Sequence, residues 1–230
     1  MLEEDKDNLY VYEETDEIQD DSPMNFASSQ FEEENSTDEE EKEEKIKRNS
    51  CFGILIKIMF NPVAGWKSLR RKKITVEEFQ SGLFYPLLAL VSISKFADYF
   101  YSVNVTLTGV VTKAVIAFVS FFFGYFCILF VLSKILPKNL SPIFEGTYGK
   151  EYVIAGLSTL ALFGIITDIL PMLWPVLIFL PLWTLYLLYQ GSRFFQLATS
   201  QELRFLIMTC ATIIGVPYVI DWGLNELLPY

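Results

Sequence analysis

The stretch CFGILIKIMFNPVAGWKSLRRKK, Cys51 to Lys73, separates two different kinds of polymer. Within it, Phe52, Leu55, Ile56 and Met59 recur at i, i+3, i+4 and i+7, which predicts one apolar face of a helix. The pattern is too short to cross roughly 30 Å of hydrocarbon. Asn61-Pro62 then reads as an N-cap followed by proline at the first helical position, so a second short helix restarts there. It carries Trp66 and runs into the chain's densest cluster of positive charge. An indole at headgroup level flanked by bases holds a helix in the plane of a membrane interface. Trp66, Lys67, Arg70, Arg71, Lys72 and Lys73 are accordingly read as membrane-anchor residues of an interfacial segment spanning 51–73. Thr75 with Glu78 three residues on has the form of a capping box that opens the next helix.

Upstream, residues 1–48 hold 19 acids against 5 bases and only scattered apolar residues. Such a segment cannot offset the entropy lost on ordering, and it reads as a disordered, acidic cytoplasmic tail. Leu9, Tyr10, Val11, Tyr12 and Ile18 form a small apolar cluster there, either a docking motif for a cytoplasmic partner or part of a solvated tail. The net charge of -10 belongs to this tail, because residues 49–230 hold 9 acids against 13 bases. Its sign repels phosphate, which excludes nucleic acid as a partner and keeps the tail off anionic headgroups. The opening MLEEDKDNLY lacks the basic and apolar regions of a signal peptide, so the first span is expected to serve as the targeting signal.

Downstream, the chain is far richer in apolar residues than a soluble domain, with 20 Phe, 12 Tyr and 4 Trp in all. Five apolar segments follow, at about 83–101, 110–136, 152–170, 173–189 and 203–220. Each is close to the roughly 17 to 25 residues that a spanning helix needs. The third and fourth are joined so tightly through Pro171 and Pro175 that they must form a hairpin, with a re-entrant pair as the competing arrangement. Bases alternate from one connection to the next: the Lys57 to Lys73 group, Lys134 with Lys138 and Lys150, and Arg193 with Arg204 fall on one side, and Lys113 on the other. The positive-inside rule then gives five spans with a cytoplasmic N-terminus and the C-terminus outside. The expected fold is an all-α polytopic membrane domain, residues 49–230, preceded by the interfacial helix and the acidic tail.

The residue inventory restricts the chemistry. There is no histidine, and Cys51, Cys127 and Cys210 are isolated, which excludes histidine-dependent zinc sites, a Ser-His-Asp triad and Cys-His nucleophiles. No HExxH, GxSxG or phosphate-binding loop is present. The chain is therefore read as non-enzymatic, with no catalytic residue, no metal and no cofactor. Cys51 beside the interfacial helix is a candidate for lipidation. Ionisable groups at membrane depth are functional candidates by default. Lys95 and Asp98 lie three apart on one helical face, and Asp168 stands near the outer end of the third segment. Either the three form a polar site for a headgroup, an ion or a proton, or Lys95 and Asp98 neutralise one another while Asp168 reaches the interface. Prolines 86, 171, 175, 181 and 217 interrupt the segments and, with Gly156, Gly164 and Gly215 nearby, are packing devices more often than ligand sites.

Asn61-Pro62-Val63-Ala64-Gly65-Trp66 resembles the NPxxGW-like motif of bacterial members of the Yip1 family. YGKEYVIAGLS, Tyr148 to Ser158, and YLLYQG, Tyr186 to Gly191, extend the resemblance over residues 55–225, although Leu157-Ser158 is not followed by the usual proline. The resemblance implies a five-span helical bundle, with Asn61, Pro62, Gly65 and Trp66 as motif residues and no catalytic residues to transfer. It also implies a membrane-organising or adaptor role, since eukaryotic relatives act in vesicle trafficking with Rab-family GTPases and membrane-shaping proteins. Expected partners are membrane lipids, other membrane proteins or further copies of the chain. The match to bacterial members favours a bacterial inner membrane over a Golgi or endoplasmic reticulum membrane. A small transporter or channel using Lys95, Asp98 and Asp168 is the alternative.

Overall fold

The computed structural model describes residues 51–72, 74–101, 106–136, 140, 142–173 and 179–228. The acidic tail, Lys73 and Lys138 lie outside them. Among the described residues every regular element is helical. Helix α1 runs over Cys51–Phe60 and α2 over Pro62–Arg71. The long helix α3 covers Val76–Tyr101 and α4 covers Leu107–Ile135. The one-turn α5, Pro142–Glu145, leads into α6, Thr147–Ile169. The last two are α7, Leu180–Ser192, and α8, Thr199–Leu227.

The long helices α3 and α4 start at side-chain caps rather than at the first apolar residue, so they begin earlier than the apolar runs. The capping box expected at the head of α3 is present: Glu78 N–H donates to Thr75 Oγ1 at 3.2 Å and Thr75 N–H to Glu78 Oε2 at 3.1 Å. A π turn at Gln80–Phe84 widens α3 just before Pro86, which has no N–H to give an α-helical ladder. In α4 the Thr106 hydroxyl accepts from Gly109 N–H at 3.1 Å. Helix α6 is the axis of the bundle, and its side chains from Val153 to Ala161 are all buried. Helix α8 packs most extensively against α4, where Gly124 faces the ring of Pro217.

One expectation is met in part here, and another changes. Four of the described helices, α3, α4, α6 and the Gln201–Leu227 part of α8, are long and apolar enough to cross a membrane. The expected fourth span, 173–189, is described as a short 3₁₀ turn at Pro171–Leu173 and the 13-residue α7, which begins and ends later than the apolar run. At 1.5 Å per residue α7 is about 20 Å long, short of the hydrocarbon thickness. The phase of α1 also shifts. Cys51, Ile54, Leu55 and Ile58 face the protein, while Phe52 and Ile56 are exposed. The helical period is as expected, but α1 carries two apolar stripes, and the one beginning a residue earlier meets the core.

Candidate functional site

Four charged residues of the long helices, Lys95, Asp98, Lys113 and Asp168, gather at one end of the bundle. The ladder of α3 tightens to a 3₁₀ turn at Lys95–Ala97, and the side chains on either side of it reach different helices. Lys95 Nζ lies 2.9 Å from Asp168 Oδ1 on α6, and Ser94 Oγ donates to Asp168 Oδ2 at 2.6 Å. Asp98 instead accepts from Lys113 Nζ on α4, at 2.9 Å. Tyr101 Oη adds a bond to the carbonyl of Ile169 at 3.0 Å. Lys95 and Asp98 thus do not pair, although they share a face. Both oxygens of Asp168 are occupied, and α3 is tied to α4 and α6 at once.

A cavity of about 490 Å³ opens beside this cluster, with Lys95, Ser120, Thr167, Asp168 and Asp221 among its polar lining. Asp221 is the residue that sequence reasoning missed. The fifth apolar run ends at Ile220, one position short, whereas α8 continues to Leu227. The signal lay in the continuing i, i+4 spacing of Pro217, Asp221 and Asn225, and Asn225 Nδ2 does donate to Asp221 Oδ2 at 3.1 Å. Asp221 stands close enough to feel the charges of both Lys95 and Asp168.

At the opposite end, the NPVAGW motif forms a clasp. Asn61 Oδ1 caps α2 by accepting from Ala64 N–H at 3.2 Å, and Pro62 occupies the first turn. Gly65 lies directly on the backbone of Ile58, so any side chain there would collide with α1. The Trp66 indole turns inward with 1% exposure, donates from Nε1 to the carbonyl of Leu187 at 3.0 Å, and packs on Tyr152 with ring centroids 5.5 Å apart. Tyr152 Oη donates to the next carbonyl, Leu188, at 2.9 Å. Gly191 makes the approach possible, because a Cβ there would lie 2.7 Å from the indole. Trp66, expected at a headgroup-level surface, is enclosed by protein because α7 offers it a carbonyl and a glycine groove. Its basic neighbours remain outside: Lys67, Arg70, Arg71 and Lys72 are exposed, and Arg70 Nη1 donates to the carbonyl of Phe194 at 3.1 Å.

The three segments joined by this clasp, NPVAGW, YGKEYVIAGLS and YLLYQG, fall within one match, since the family model for the Yip1 domain covers residues 56–220. The chain belongs to the Yip1 family. No curated protein and no solved structure shows significant similarity to it. Yip1 proteins are in general non-enzymatic membrane proteins, and this one is an integral, multi-pass member. The matched region contains the clasp and the Lys95, Asp98 and Asp168 cluster, and it ends one residue before Asp221.

A second cavity, of about 730 Å³, lies at the clasp end of the Yip1 domain between Arg70, Lys72, Lys150, Tyr148, Glu77 and Glu151. Arg70 stands over the Tyr148 ring at 5.9 Å, and Tyr148 packs on Phe195, which packs in turn on Phe205. The candidate lipidation site Cys51 is buried with 1% exposure, its Sγ directed at the carbonyl of Glu78, so an acyl donor cannot reach it in this fold. Among the described residues, no group of three or more Cys, Asp or Glu side chains is arranged to hold a metal.

Proposed function

We propose that this Yip1 protein is a non-catalytic scaffold, a membrane-organising or adaptor component that binds other membrane proteins or lipids through its bundle. Its acidic N-terminal segment then remains available to cytoplasmic partners. The observation that carries this reading is the engagement of four of the bundle's charges with one another. Lys95 with Asp168 and Lys113 with Asp98 join three helices, so groups that a reaction would need for its substrate act as fasteners. Large apolar side chains, including Phe118, Phe123, Phe126 and Phe130 on α4 and Leu203, Ile207 and Trp222 on α8, face outward, where lipid or partner helices would meet them. In this reading the chain crosses the membrane five times. The basic connections stay in the cytoplasm with the N-terminus, and the protein resides in a bacterial inner membrane.

The test is a pull-down from native membranes in mild detergent, comparing the full chain with one lacking residues 1–48. A stoichiometric partner lost with the tail supports an adaptor that recruits through it, and one retained places the interface in the bundle. Absence of any partner, together with an unaltered lipid profile around the protein, overturns the scaffold reading. The cavity beside Lys95 and Asp168 favours a second reading, a small transporter or channel. That reading requires Asp168→Asn to abolish flux in proteoliposomes without lowering the amount of folded protein.

A further inference from the structure

The cavity of about 490 Å³ has an unusual charge inventory. Its walls are apolar, with Val91, Phe121, Leu160, Phe163 and Pro217 among them, and open space extends to Gly164, where a Cβ would meet nothing within 4 Å. At its charged end stand one ammonium and two carboxylates. Lys95 is bound to Asp168 at 2.9 Å, and Ser94 takes the second oxygen of Asp168, so that pair is complete. Asp221 receives only the neutral amide of Asn225 on Oδ2, and no described Lys or Arg forms an ion pair with it. One negative charge is thus left over against an apolar chamber within a membrane-spanning bundle. A carboxylate in such a place is costly unless a cation accompanies it.

We propose that this chamber binds an amphiphile through an ammonium group set against Asp221, with an apolar body lying along Phe121, Leu160 and Phe163. The volume is within the range of small-molecule sites, and the combination of a largely apolar lining with a few convergent polar groups is theirs as well. A hard metal ion fits poorly, since such ions want six or more oxygens and the lining offers few. An anionic ligand fits poorly too, because Lys95, the one lysine among the described lining residues, is already held by Asp168. The ammonium group belongs either to an aminophospholipid of the bilayer or to a free long-chain amine, and both present the same chemistry to Asp221. The inference rests on neither the scaffold reading nor the transport reading, for a chain that recruits no partner and moves no substrate can still hold this ligand.

The experiment uses the full chain in a neutral maltoside detergent, with thermal unfolding followed as dodecylamine, or dodecanol as its uncharged counterpart, is titrated in. Dodecylamine is expected to raise the midpoint saturably, and dodecanol is not. Asp221→Asn is expected to weaken the apparent affinity by about tenfold or more, the low end of the coupling between close charge pairs. Gly164→Leu, which fills the open space while leaving every charge in place, should abolish the shift, and it carries the test if Asp221→Asn does not fold. In nanodiscs of phosphatidylethanolamine the dodecylamine effect disappears if the aminophospholipid is the occupant, and persists if a free amine is. Equal shifts with dodecylamine and dodecanol, or equal shifts in wild type, Asp221→Asn and Gly164→Leu, would overturn the proposal.

Discussion

Lys95 on α3 and Asp168 on α6 meet at 2.9 Å across 73 positions of sequence, with 27% and 13% of their side chains exposed. A pair this sheltered is strongly coupled, because removing one member leaves the other charged and alone. Lys95→Ala and Asp168→Ala are each expected to lower stability by about 1.5–3 kcal/mol, as for hydrogen bonds to charged groups. The double variant should lose much less than the sum. Thermal unfolding of the four proteins in detergent gives the coupling directly, and strict additivity would mean that the pair does not hold the helices together.

The Trp66 clasp predicts a coupling of a different kind. Trp66→Ala removes a fully buried indole and its bond to Leu187, a loss of about 3–5 kcal/mol. Gly191→Ala places a methyl 2.7 Å from the same indole, overpacking that costs about 1–3 kcal/mol. In a Trp66→Phe background the smaller ring gives way, and Gly191→Ala should cost less than it does in wild type. Melting temperatures of the two single variants and the double variant decide it.

These pairings show where sequence was sufficient and where it was not. Thr75 and Glu78 were legible because a capping box is complete within four residues. The membrane helices were legible because their apolar runs are long. Lys95, Asp98 and Asp168 were recognisable as charges at membrane depth, but their partners were not. Spacing of three along a helix places two groups on one face, yet a facing helix can offer each a closer counterion, as Asp168 and Lys113 do. Trp66 among lysines and arginines has the composition of an interfacial anchor, and only the groove made by Gly191, 125 positions later, draws it inside. The phase of α1 was ambiguous because both of its stripes are apolar, and periodicity does not say which one meets protein.

Ser158, wholly buried in the middle of α6, has a hydroxyl with no hydrogen-bond partner. A buried polar group left in that state costs about 1–3 kcal/mol. Ser158→Ala is therefore expected to leave stability unchanged or to raise it by up to about that amount, in contrast to most core substitutions. A marked fall in melting temperature would show that the hydroxyl has a partner.

Burial pushes the Cys51 thiol above the usual thiol range, with Glu78 adding to the effect and Lys72 opposing it. The folded protein therefore keeps its proton at pH values where the unfolded chain, titrating near about 8.5, gives it up. The unfolded state then binds fewer protons than the native state, so this group's contribution to stability falls as pH rises beyond that point. In a variant carrying Cys127→Ala and Cys210→Ala, maleimide labelling of Cys51 should be slow from pH 7 to 9 in mild detergent and fast in dodecyl sulfate. Equal rates in the two would contradict the burial.

The clasp also sets an order of events in biosynthesis. Trp66 leaves the ribosome 121 residues before the carbonyl that receives its N–H. At about 5–20 residues per second the indole waits roughly six to twenty-four seconds for Leu187 to be made, and longer for Gly191. During that interval α1 and α2 cannot reach their final seat, and the headgroup region of the bilayer is the natural place for an indole flanked by bases to rest. The surface anchor that the motif resembles in sequence would then be a station on the way to the folded state, left behind when the end of α7 arrives.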